Sequence, residues 1–207
     1  RSNIQLNDYL KRKGKTEMLP LVAPIMGISF HFIVQPGQGK YGTAVPGGLA
    51  SEYIGEGESA VVLMGDDFVY NTDGTNEIAN LIQAASEAGG AMLGVTVPDE
   101  EVSKYGVLQL DEAGHYQRIV EKPAAADAPS NLINISKYVL PKAVIDAAIE
   151  VAVNPARGEY EITDVINNYV ESGGQVKVVE ATGQYLDGGS PEGWLHANNV
   201  VCGSLVE

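Results

Sequence analysis

Aspartates far apart in the chain stand close to glycines: the pair Asp66-Asp67, in LMGDD at the end of an apolar run, and Asp187, in YLDGG. Carboxylates delivered by distant segments to the carboxyl edge of one sheet would form a hard oxygen site of the kind Mg²⁺ prefers, with phosphate oxygens completing the octahedron. Asp67 or Asp187 also suits an Asx-turn or a helix cap, and that alternative stays open. Glu121 and Lys122 are neighbours in VEKP, where Pro123 stops the strand. A carboxylate that accepts from sugar hydroxyls beside an ammonium that meets a phosphate would serve a sugar phosphate, although such a dipeptide also makes a solvated ion pair. Gly37, Gly39 and Gly42 spell G-x-G-x-x-G after the apolar run SFHFIV. That spacing is a dinucleotide fingerprint only within a βαβ unit answered by one ribose-binding acid; here the next strand ends in two acids, Asp66 and Asp67.

Elements able to position these residues alternate between short β-type runs and longer helical ones, the pattern of an α/β architecture. Strands are expected at SFHFIV, AVVLMG, AMLGVTV, GVLQL, QRIVE, LINISKYVL and QVKVVEA. GVLQL and QRIVE flank DEAGHY and read as a hairpin, which makes the sheet mixed. Ile78, Leu81, Ile82 and Ala85 stripe one helix stopped by Gly89-Gly90. Ile162, Val165, Ile166, Tyr169 and Val170 stripe another, stopped by Gly173-Gly174. Pro141 suits the first position of a third helix, PKAVIDAAIEVA. Nothing in composition marks a linker, so residues 1–207 read as a single domain.

Composition removes several classes. Acidic residues number 27 against 13 basic ones, a net charge of −14, so a nucleic-acid backbone would be repelled. The one basic cluster, KRKGK at 11–15, reads as the solvated end of a helix. Cys202 is the only cysteine, which leaves no disulfide framework or thiolate zinc cluster and suits a reducing compartment. No apolar run approaches the roughly 20 residues that span a bilayer, and no signal-peptide layout opens the sequence, so a cytoplasmic protein without a membrane partner is expected. No serine sits in a G-x-S-x-G elbow, no G-x-x-x-x-G-K-[ST] loop occurs, and His31, His115 and His196 are scattered as structural or surface histidines would be.

Taken in chain order, Q-x-x-x-x-x-x-G-T-A at 35–44, G-D-D at 65–67, Y-G-V at 105–107, E-K-P at 121–123, S-N-L at 130–132, G-E-Y-E-I-T-D at 158–164 and L-D-G-G at 186–189 resemble the bacterial UTP–glucose-1-phosphate uridylyltransferases. KRKGKTEMLPLV is similar to the helix that precedes their uracil-binding strand. The resemblance implies a three-layer nucleotide-diphospho-sugar transferase-like α/β fold with a mixed, mainly parallel sheet. It implies Mg²⁺ as cofactor, UTP and glucose 1-phosphate as substrates, and a homo-oligomer. Carried over by position, Gln35 reads the base and Gly42 is where the base rests. Asp66 and Asp187 hold the metal, Gly106 and Glu121 contact glucose, and Lys122 meets the sugar phosphate; Asp66 and Lys122 are then the catalytic pair. Glu161 and Thr163 lie near the sugar.

Lys40, Thr43 and Pro36 depart from the family's glycine, histidine and glycine. Thr43 is more like the thymidylyltransferases. The family's G-x-G-T-R loop is not found in these residues, which are therefore expected to lack an N-terminal βα portion and to be inactive alone. A thymidylyltransferase and a non-catalytic nucleotide-sugar-binding regulatory protein remain as alternatives.

Overall fold

A computed structural model of the chain describes residues 3–23 and 27–204. The chain divides into two units, Arg1–Val34 and Gln35–Glu207. In the first, α1 (Ile4–Arg12) opens at Asn3, whose side chain accepts the Leu6 N–H at 3.0 Å, and closes on Lys11 and Arg12. The basic cluster is thus the end of a helix, where cations meet the negative pole of the dipole. A 3-10 turn at Thr16–Val22 follows. The expected strand SFHFIV is corrected here: residues 29–34 join no ladder among the described residues, and Phe32 and Val34 are 92% and 87% exposed. A β-prone sequence becomes a strand only where a neighbour takes up its backbone groups.

The second unit runs α2 (Ala44–Ala50), β1 (Ser59–Leu63), β2 (Asp67–Tyr70), α3 (Glu77–Ala88), β3 (Ala91–Thr96), β4 (Gly106–Leu110), β5 (Tyr116–Glu121), β6 (Leu132–Pro141), α4 (Lys142–Ala147), α5 (Ile162–Glu171), β7 (Lys177–Glu180), β8 (Gln184–Asp187) and α6 (Pro191–Ser204). The main sheet is ordered β5-β4-β6-β3-β7, with β1 also paired to β6; β2 and β8 form a separate antiparallel ribbon. The sheet is mixed, as expected, but its balance is antiparallel rather than mainly parallel. Among the described residues β3–β7 is the parallel pair, because the ten-residue β6 runs against β1, β3 and β4, and β4–β5 is the expected hairpin. At the hairpin turn, Asp111 Oδ1 accepts the N–H groups of Ala113 and His115 at 2.9 and 2.8 Å.

Alternation along the strands splits the core between two faces of the sheet. Met92, Leu108, Tyr138 and Leu140 pack with Val144 and Ile145 of α4 and Ile162, Val165 and Ile166 of α5. Leu93, Val107, Ile133 and Val139 pack with Leu81 and Ala85 of α3. Ile82, expected in the same stripe, is turned outward. Gly89 closes α3 with a left-handed φ of 93° and returns its N–H to Ala85 O at 2.8 Å. Pro141 is the last residue of β6 and the cap of α4 rather than its first helical residue. No helix among the described residues is long and apolar enough to cross a membrane.

Candidate functional site

Asp66 follows the carboxyl end of β1, and Asp187 ends β8. The link between them is made by backbone: Gly188 N–H donates to Asp66 O at 2.7 Å, and Asp67 pairs directly across the ribbon with Asp187. A Cβ placed on Gly189 would lie 3.1 Å from Asp187 Oδ1 and 3.6 Å from Asp66 Oδ2. Both carboxylates therefore border one small space that the missing side chain leaves open. Asp187 also makes the Asx-turn, its Oδ1 accepting Gly189 N–H at 2.8 Å. Two anionic oxygen donors around such a space fit a hard divalent cation, whose remaining positions water and phosphate would fill.

A cavity of about 260 Å³ collects another set of residues, among them Gly106, Glu121, Asn134, Tyr138, Arg157 and Glu161. Gly106 and Glu121 are cross-strand partners in β4–β5, and a Cβ on Gly106 would meet Glu121 Oε2 at 2.9 Å. The glycine thus makes room for the carboxylate. Lys122 has φ 45°, donates its N–H to Tyr105 O at 3.0 Å, and is exposed next to this wall. Ser136, also in the cavity wall, has φ 53° inside β6. Left-handed geometry at two non-glycine residues stores strain of the kind that gathers at binding sites. Tyr105 also lines the cavity: burial, then the charges of Glu101 and Asp187, push its phenol up from the ordinary value.

The loop from 35 to 44 reaches the cavity through Thr43. Its Oγ1 donates to Glu161 Oε2 at 2.8 Å and accepts Ile162 N–H at 2.9 Å, capping α5. Gly42, at φ 133°, lies on the backbone of Tyr160: a Cβ there would fall 2.5 Å from Tyr160 N, so no other residue fits. Lys40 turns away from the loop, donating to Ile149 O at 2.6 Å and lying 5.0 Å from the Tyr160 ring centre. Gln35 is not brought into the cavity; its amide lies 3.5 Å from Lys40 O.

Of the residues carried over, the structure gathers Asp66 with Asp187, and Gly106, Glu121, Glu161 and Thr163 around the cavity, with Lys122 beside it. Sequence reasoning did not find Arg157, whose guanidinium lies 3.5 Å from Glu161 and 3.9 Å from Glu121. It also missed Lys137 and Tyr185, both of which bond the Asp67 carboxylate. Lys137 sits in an apolar alternation that gives no sign of a buried cation. Its anionic partner, Asp67, lies on another strand.

The sheet, its flanking helices and the acidic edge define an α/β protein of the nucleotidyltransferase fold. Its second unit carries Asp66 after β1 and Asp187 at the end of β8. The chain belongs to the nucleotidyl transferase family, whose family model matches residues 1–203. It is 30% identical over 200 residues to the low-salt glycan biosynthesis nucleotidyltransferase Agl11 of Haloferax volcanii, covering 95% of this chain and 53% of that protein. It is 34% identical over 176 residues to the UTP–glucose-1-phosphate uridylyltransferase of Streptococcus pneumoniae serotype 4, covering 80% of this chain and 57% of that one. A UTP-bound UGPase from Acinetobacter baumannii superposes with a TM-score of 0.78 at 25% identity, over 95% of this chain and 69% of that structure. The chain spans little more than half the length of these two curated relatives.

Proposed function

We propose that the chain forms the nucleotide- and sugar-binding body of a UTP–glucose-1-phosphate uridylyltransferase, which makes UDP-glucose and pyrophosphate. The observation that carries this reading is the convergence of Asp66 and Asp187 on the space above Gly189, together with a cavity walled by Gly106 and Glu121. In the reaction, an oxygen of the sugar phosphate forms a bond to the α-phosphorus of UTP while the bond from that phosphorus to the bridging oxygen breaks, and pyrophosphate leaves. Little covalent chemistry falls to the protein, whose contribution is placement and charge. Glu121 accepts hydrogen bonds from glucose hydroxyls, Lys122 holds the sugar phosphate, and Gln35 pairs with the uracil edge over Gly42. Asp66 and Asp187 would hold Mg²⁺, which supplies positive charge for the phosphate oxygens.

Calorimetric titration of the chain with UDP-glucose, dTDP-glucose and ADP-glucose tests this. UDP-glucose is expected to bind most tightly, and Glu121→Ala to weaken it by roughly 1–3 kcal/mol through lost hydroxyl contacts. Tighter binding of dTDP-glucose would select the thymidylyltransferase reading that Thr43 favours. Absence of binding by all three would remove the proposal.

A further inference from the structure

The tandem aspartates part company. Asp66 borders the space above Gly189, whereas the Asp67 side chain turns into the protein, only 9% exposed, toward Lys137. Lys137, in the middle of β6, is itself 5% exposed. Its ammonium donates to Asp67 Oδ1 and lies 3.4 Å from Met64 O and 3.3 Å from Ile135 O. An ammonium has three protons, and three acceptors surround this one. The other Asp67 oxygen accepts the Tyr185 hydroxyl at 3.1 Å.

A buried ion pair is weak evidence of stabilisation, because desolvation of the two charges offsets much of their attraction and an apolar pair of the same shape often serves as well. What this pair does supply is direction. It joins four segments: β6 through Lys137, the end of β1 through Met64 O, β2 through Asp67, and β8 through Tyr185. Asp66 lies between the bonded residues Met64 and Asp67, and Asp187 is the direct ribbon partner of Asp67. The same contacts therefore set where the two outward carboxylates stand relative to each other.

We propose that Lys137 is a positioning residue, holding Asp66 and Asp187 through Asp67 and Tyr185 at the spacing a divalent cation requires. This rests on the metal reading above. Carboxylates must bring oxygens to about 2.0–2.1 Å from Mg²⁺, and groups that orient metal ligands typically govern affinity by roughly 10–100-fold.

Mn²⁺ uptake by the full 207-residue chain, followed by the electron paramagnetic resonance signal of the free ion, tests it without relying on turnover. Lys137→Met should weaken Mn²⁺ binding at least about tenfold, in the range expected of such partners. Lys137→Arg, which keeps a cation for Asp67, should restore it to within about threefold of the wild type, an effect that loss of packing alone would not reverse. Should Lys137→Met fail to fold, the double variant Asp67→Leu/Lys137→Met removes both buried charges and supplies the folded comparison. Weak Mn²⁺ binding in the folded double variant upholds the proposal; wild-type binding there, or in folded Lys137→Met, overturns it. A wild-type chain that takes up no Mn²⁺, like an Asp66→Asn chain that binds normally, overturns the metal reading and this proposal with it.

Discussion

Thr43 occupies the cap position of α2 yet caps α5, its hydroxyl shared between the Ile162 N–H and the Glu161 carboxylate. Glu161 is 7% exposed, so that oxygen has little water to turn to. Thr43→Val keeps the shape and deletes both hydrogen bonds. Urea unfolding should show a loss of about 1–3 kcal/mol, with Thr43→Ser recovering most of it. Equal midpoints for wild type and Thr43→Val would mean that the hydroxyl holds nothing. The sequence marked Thr43 as a departure from a family pattern and linked it to the choice of nucleotide. Its tie to Glu161 was not legible, because no local spacing relates residues so far apart. Gly42 was legible as a required glycine for a different reason: the structure shows the backbone of Tyr160 filling the place of its side chain.

At the scale of elements, legibility followed periodicity. α3 and α5 carry apolar stripes and glycine stops, and both stand where the stripes put them. α2, with the sequence AVPGGLA, has no stripe; its helix is held by packing, Gly48 lying so close that a Cβ would meet Ile149 at 3.1 Å. The β2–β8 ribbon has four residues a side, too few to show alternation, although it carries Asp187. SFHFIV had the pattern without the pairing.

The start of α3 carries a prediction of its own. Glu77 Oε1 accepts from Thr182 N at 2.8 Å, Thr182 Oγ1 at 3.0 Å, Gly183 N at 3.1 Å and Asn71 Nδ2 at 3.1 Å, tying the helix to the turn between β7 and β8. Burial alone would push this carboxyl up, but hydrogen bonds from Thr182, Asn71 and Gly183 outweigh it and hold it below the ordinary carboxylate range. A depressed folded-state value stabilises above the unfolded value of 4.5, and that stabilisation is lost as pH falls through the folded one. Glu77→Gln should therefore be less stable than the wild type by about 1.5–3 kcal/mol at pH 7, the usual worth of hydrogen bonds to a charged group. The gap should close as pH falls below 4.5. A gap independent of pH between 3 and 7 would show that the charge of Glu77 contributes nothing.

For the whole molecule the governing quantity is a charge of −14. Like charges at this density oppose the compact state, and an exposed ion pair such as Lys104–Glu101 at 2.9 Å returns little. Sodium chloride should therefore raise the melting temperature as the screening length shrinks toward about 10 Å near 0.1 M. Magnesium chloride at matched ionic strength should do more if Asp66 and Asp187 bind the ion, because occupancy of the folded state alone stabilises by RT ln(1 + [Mg²⁺]/Kd). That increment is about 1.4 kcal/mol at ten times Kd. Screening acts on all 27 acidic residues, whereas binding needs this one pair. Asp66→Asn consequently separates the two effects: it should retain the response to sodium chloride, start from a slightly higher baseline because one repelling charge is gone, and lose the magnesium increment. Coincident melting curves in the two salts for the wild-type chain would leave the convergence of Asp66 and Asp187 as a turn geometry with no bound ion.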